Sequence, residues 1–134
     1  MSTSRCVNWT VWSTLVSALL IATQVLAHAK LVESHPTDGE TVPSITNEIT
    51  IAYSMPLEVR YSVFELYGSG VDNRAPQVSR DVIELGGAIS EHGGRVIRLP
   101  LTDVLKPGWY TLRWNVLAID GHTTEGTLRF LVQD

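Results

Sequence analysis

Cysteine is nearly absent from this 134-residue chain: its one thiol is Cys6. A lone thiol forms no intrachain disulfide and no thiolate-caged metal site. Methionine is scarce as well, with Met1 and Met55 alone, which excludes a thioether-rich site for a soft metal. Basic clusters are missing, and 10 Lys and Arg stand against 14 Asp and Glu for a formal charge of −4. That balance argues against nucleic acid or an anionic membrane as partner. Amphipathic helical periodicity, internal repeats and low-complexity tracts are also lacking.

A long apolar run occurs once, at the start. Arg5 supplies a short positive region, Val11 to Leu26 the hydrophobic stretch, and Val25 and Ala27 the small residues that signal peptidase requires at −3 and −1. Ser13, Thr14, Ser17, Thr23 and Gln24 interrupt the stretch, and no Lys/Arg block follows it. A spanning helix needs about 20 predominantly apolar residues, so cleavage after Ala27 is the expectation and a membrane anchor is not. Residues 1–27 are read as a signal peptide and 28–134 as one exported, periplasmic domain without a membrane span. Arg5 is the one charged residue of the leader, so the remainder carries a formal charge of about −5. Cys6 leaves with the leader, and stability must come from an apolar core.

The rest of the chain alternates with period two. Ile49, Ile51 and Tyr53 alternate with Thr50, Ala52 and Ser54, and Phe64 and Leu66 with Val63, Glu65 and Tyr67. Ile97 and Leu99 alternate with Val96 and Arg98. Tyr110, Leu112, Trp114, Val116 and Ala118 make one face of a long segment, and Leu128, Phe130 and Val132 repeat the pattern. Such alternation describes strands with one face on a core. Turn residues separate the runs, notably Pro36-Thr37-Asp38-Gly39, Gly86-Gly87, Gly93-Gly94 and Lys106-Pro107-Gly108. About seven strands are expected, near 30–34, 45–54, 61–67, 76–85, 94–100, 108–119 and 124–132, with loops at 69–76 and 86–93. The spacing predicts an all-β antiparallel sandwich or Greek-key barrel.

Two short features carry chemistry. Cleavage after Ala27 leaves His28 with an imidazole and a free α-amine on one residue, two nitrogens that chelate a transition metal. Near the other end Asp120-Gly121-His122 places a carboxylate and an imidazole two residues apart, on one face of an extended segment. The plainer reading of that triplet is a polar turn in which Asp120 caps backbone N–H groups. With His28, His122 and Asp120 together, three nitrogens and an oxygen give tetragonal N/O coordination, which suits Cu(II); Zn(II) prefers a tetrahedron. The alternative N-terminal Cu(II) motif needs histidine in third place, where this chain has Lys30. His92 lies in a polar Gly-rich turn and is assigned no role, and His35 before Pro36 stays open as a further ligand.

On these residues the chain resembles the CopC/PcoC family of periplasmic copper-resistance proteins. The similarity runs from His28-Ala29-Lys30-Leu31-Val32-Glu33-Ser34 through Ile51-Ala52-Tyr53-Ser54-Met55-Pro56 and Leu105-Lys106-Pro107-Gly108-Trp109-Tyr110. It ends with Trp114-Asn115-Val116-Leu117-Ala118-Ile119-Asp120-Gly121-His122 and Gly126-Thr127-Leu128-Arg129-Phe130. The resemblance implies a seven-stranded Greek-key barrel related to immunoglobulin-like sandwiches. It also implies a Cu(II) site formed by the amine and imidazole of His28 with Asp120 and His122. Met55 stands where some members carry an acidic ligand, with Glu58 a little further on, and the methionine-rich loop of Cu(I)-binding members is missing. A separate inner-membrane copper transporter is the implied partner, and a monomer the implied state. The expected function is copper sequestration or carriage without catalysis. The alternatives are a histidine-brace copper monooxygenase and a metal-free immunoglobulin-like interaction module.

Overall fold

The period-two runs become the strands of two facing sheets. The computed structural model describes residues 28–44, 46–70 and 81–134, so the expected leader, residues 1–27, lies outside the described residues. The first sheet has the order β1-β3-β7-β6, formed by β1 Leu31–His35, β3 Glu48–Tyr53, β7 Val96–Pro100 and β6 Ile89–Glu91. The second has the order β2-β9-β8-β4-β5, formed by β2 Thr41–Pro43, β9 Thr123–Gln133, β8 Gly108–Leu117, β4 Val63–Gly70 and β5 Asp81–Ile83. The sheets stack as an open sandwich and do not close into a barrel.

Alternation decides which face is covered. Ile49, Ile51 and Tyr53 of β3, Ile97 and Leu99 of β7, and Tyr110, Leu112, Trp114 and Val116 of β8 are buried. Leu128, Phe130 and Val132 of β9 meet them from the same sheet as β8. Removal of these side chains from water, at about 25 cal/mol per Å2 of apolar surface, is the main stabilisation available without a disulfide.

Nine strands are found among the described residues, against about seven expected. The two additions are β2 and β6, each of three residues, too short for alternation to show. Val42 alone of β2 is buried, and β2 pairs with β9 in parallel, Thr41 against Leu131, the one departure from an antiparallel fold. Ile89 to Glu91 lay within an expected loop, yet pair with Arg98 to Val96. Arg98 then ties β6 to β3 by bonding Glu91 (2.9 Å) and Glu48 (2.6 Å). The strand expected over 76–85 is described only as β5, because residues 71–80 lie outside the described set.

One close approach sets a limit on the core. Gly126 pairs with Trp114, whose indole lies against it; a Cβ there would stand 3.0 Å from the indole nitrogen and nearer still to the ring carbons. Trp114 is hemmed in by the ring of Tyr53, 6.5 Å away and edge-on. Gly126→Ala is therefore expected to destabilise the fold by about 1–3 kcal/mol, the usual cost of overpacking. A fall in the urea midpoint at unchanged slope would show it, and an unchanged midpoint would contradict this packing.

Candidate metal centre

The site forms at the end of the sandwich where β1 begins and β8 turns into β9. His28 is exposed, whereas the next residue, Ala29, is 0% exposed and belongs to the core. Lys30 is then held from both sides by Ser54: its N–H donates to the Ser54 hydroxyl (3.0 Å), and its carbonyl accepts the Ser54 N–H (2.9 Å). A buried methyl and two hydrogen bonds thus fix the backbone that delivers His28.

Residues 118–122 form a tight turn, not the extended segment assumed from spacing. Gly121 N–H donates to the Ala118 carbonyl (2.9 Å), and Ala118 N–H donates to the His122 carbonyl (2.9 Å). Gly121 has φ +89°, a left-handed conformation that favours glycine. Asp120 Oδ1 accepts the His122 backbone N–H (3.0 Å), so the plain capping reading is realised. Its other oxygen nevertheless lies 3.4 Å from His122 Nδ1. Carboxylate and imidazole come together through the turn, and not through i, i+2 alternation.

That geometry has electrostatic consequences. The His122 backbone N–H, aided by the imidazoles of His122 and His28, holds the Asp120 carboxyl below its usual range. Ligand atoms each about 2 Å from one ion stand roughly 3–4 Å apart, so the 3.4 Å between His122 Nδ1 and Asp120 Oδ2 fits both groups on a single ion. A carboxylate has about four lone-pair sites, so Asp120 retains capacity for a metal beside these two contacts. The side chains of His122 and Asp120 are 54% and 27% exposed, which leaves the pair open to solvent.

The rings of His28 and His122 have centroids 5.4 Å apart and planes at 45°. With metal–nitrogen bonds of about 2.0 Å, each ring centre sits roughly 3 Å from an ion, so two imidazoles on one ion have centroids roughly 4–6 Å apart. The observed spacing fits. Among the described residues, however, no three His, Cys, Asp or Glu side chains already surround one metal position.

The other candidates fall elsewhere. His35 ends β1 opposite Thr50, up to roughly 20 Å along the strand from His28, with Nδ1 3.8 Å from Glu40. Met55 packs partly buried against the core, and Glu58 is exposed with its N–H donating to the Leu117 carbonyl. His92 opens a 3-10 turn, His92–Gly94, at φ +50°. Sequence reasoning missed Ser54 and Ala29, because backbone hydrogen bonds and burial of a methyl leave no residue pattern to find.

The comparisons agree with this architecture. The family model of the CopC domain matches residues 31–133. Protein YobA of Escherichia coli (strain K12) is 29% identical over 132 residues, covering 98% of both chains. The Copper transport protein CutJ of Bacillus subtilis (strain 168) is 26% identical over 106 residues, which are 79% of this chain but 18% of that protein. Among solved structures, CopC from Methylosinus trichosporium OB3b superposes with a TM-score of 0.67 at 23% identity, covering 79% of this chain and 94% of that one. PcoC, a methionine-rich copper resistance protein from Escherichia coli, reaches 0.69 at 21% identity, covering 80% and 100%. A two-sheet β-sandwich and a family match spanning nearly all the described residues lead to one conclusion: the chain belongs to the CopC family.

Proposed function

We propose that the chain binds Cu(II) in the periplasm, after cleavage behind Ala27, and sequesters or carries the ion without acting on a substrate. The observation that supports this most directly is the convergence of His28 and His122, at 5.4 Å, beside Asp120. In this reading the amine and imidazole of His28 and the imidazole of His122 supply three nitrogens, and Asp120, which the turn sets beside His122, supplies an oxygen. Nitrogen-rich tetragonal coordination favours Cu(II) over Zn(II). A rigid sandwich that brings the two histidines together in advance lowers the entropic cost of assembling them.

Several observations accord with a carrier. The described residues contain no helix long and apolar enough to cross a membrane. The relatives include a copper transport protein and, by structure, a copper resistance protein. We take a separate inner-membrane copper transporter as the delivery partner and a monomer as the working form.

The test uses protein secreted with its own leader and confirmed by mass spectrometry to begin at His28. Titration with Cu(II) should reach one ion per chain, with an electron paramagnetic resonance (EPR) spectrum of a tetragonal, nitrogen-rich centre. Affinity should fall in acid, since the amine and imidazoles must be deprotonated to bind. The reading is wrong if the correctly processed protein takes up no stoichiometric Cu(II), or binds it with no dependence on pH.

A further inference from the structure

The two halves of the metal centre are mounted on different sheets. His28 leads into β1, the edge of the four-stranded sheet, whereas Asp120 and His122 sit in the β8–β9 turn of the five-stranded one. Residues 53–58 cross from the first sheet to the second and touch both halves on the way. At the near end Ser54 grips Lys30 through its hydroxyl and its amide. At the far end the Pro56 carbonyl accepts the N–H of Ile119 (3.1 Å), the residue before Asp120. Leu57 forms a bridge with Ala118, and Glu58 N–H donates to the Leu117 carbonyl (2.8 Å).

This strap is braced from behind by the Gly-rich turn. Leu57 N–H donates to the Gly94 carbonyl (2.8 Å), Tyr53 N–H to the Arg95 carbonyl (2.8 Å), and the Arg95 guanidinium to the Ser54 carbonyl. Gly94 has φ +90°, and a Cβ there would stand 3.3 Å from the Leu57 carbonyl oxygen and from Pro56 Cβ. The turn that follows His92 thereby acquires a structural part: it backs the strap that spans the two halves of the site.

From this geometry we infer that Ser54 is a positioning residue for the metal centre. Its hydroxyl fixes the Lys30 N–H, two residues from His28, at one end of a strap whose other end holds the turn bearing Asp120 and His122. The bonds on the Asp120 side are made by backbone, and the Ser54 hydroxyl is the side-chain link on the His28 side. β1 is an edge strand with its register shifted between Leu31 and Glu33. Among the described residues no strand therefore lies on the outer side of residues 28–30 to hold them in place. Without the hydroxyl, burial of Ala29 and the Lys30 carbonyl bond remain, and the spacing of the two imidazoles loosens. The inference rests on the copper reading above.

The experiment compares the full chain, secreted with its own leader, with Ser54→Ala, Ser54→Thr, Ser44→Ala and His122→Ala. Ser44 donates a hydrogen bond to Asp134 at the opposite end of the sandwich and controls for loss of a surface bond. Cu(II) affinity is read by chelator competition, the centre by its EPR spectrum, and the metal-free fold by its melting temperature. Ser54→Ala should bind Cu(II) about tenfold more weakly, the lower end of what loss of an outer-shell partner costs, with a shifted EPR spectrum. Ser54→Thr, which keeps a hydroxyl, should restore both, and Ser44→Ala should bind like the parent. Parent-like affinity and spectrum in Ser54→Ala overturn the inference. So do equal losses in Ser54→Ala and Ser44→Ala, or failure of Ser54→Thr to rescue. If His122→Ala binds like the parent, the copper reading itself falls; if it loses binding while Ser54→Ala does not, the positioning role alone is refuted.

Discussion

A chain that keeps any residue ahead of His28 should bind Cu(II) about 100-fold or more weakly than one that begins there, a loss on the order of 3 kcal/mol. The cause is the chemistry of one nitrogen. A free α-amine offers a lone pair and closes a chelate ring with its own imidazole, whereas an amide nitrogen has its lone pair delocalised into the carbonyl. The residue that follows is buried Ala29, so the backbone at this point is held and an added residue does not restore the geometry by shifting. The comparison needs two secreted forms, one processed behind Ala27 and one carrying a single added glycine, in the same chelator competition. Equal affinities would remove the amine from the ligand set.

His122→Ala should cost at least as much, again about 100-fold or more. It removes the one nitrogen contributed by the five-stranded sheet and leaves His28 as an exposed two-nitrogen ligand ahead of β1. The metal-free protein should hardly notice, since the side chain is 54% exposed and surface substitutions usually stay within about 0.5 kcal/mol. Asp120→Ala should weaken binding less, because it removes the oxygen but leaves every nitrogen in place. His92→Ala and His35→Ala should bind like the parent. His35 lies far down β1, and His92 is fixed in the brace by backbone contacts of its neighbours. A parent-like His122→Ala, or a large loss in His35→Ala, would relocate the site.

The long strands were legible in the sequence because burial imposes its signature residue by residue. Tyr110 to Val116 and Leu128 to Val132 show it without ambiguity, and the structure buries those faces. Three residues give alternation nothing to repeat, so Thr41 to Pro43 fell in no expected strand and Ile89 to Glu91 in an expected loop; their pairing partners, distant β9 and adjacent β7, decide their state. That His28 and His122 come together beside Asp120 is what the structure adds to a candidate set chosen by residue type alone. The route by which Asp120 reaches His122 was not legible, because a turn with Gly121 at positive φ replaces the extended segment that spacing suggested. Ser54, Gly94 and Arg95 were silent for a related reason: Gly94 acts through its main chain, and the side chains of Ser54 and Arg95 bond backbone groups, which every residue has, so no pair of side chains marks them.

Under the proposed copper reading, the register irregularity in β1 and its place at the margin of its sheet give the ion a mechanical meaning. An outermost strand with an uneven ladder is where a sandwich begins to peel. An ion shared by positions 28 and 122 closes a circuit of roughly ninety residues, the kind of long closure that restricts an unfolded chain most. Loading would then latch this uneven edge, and the empty form would be the one whose first strand frays open to proteases.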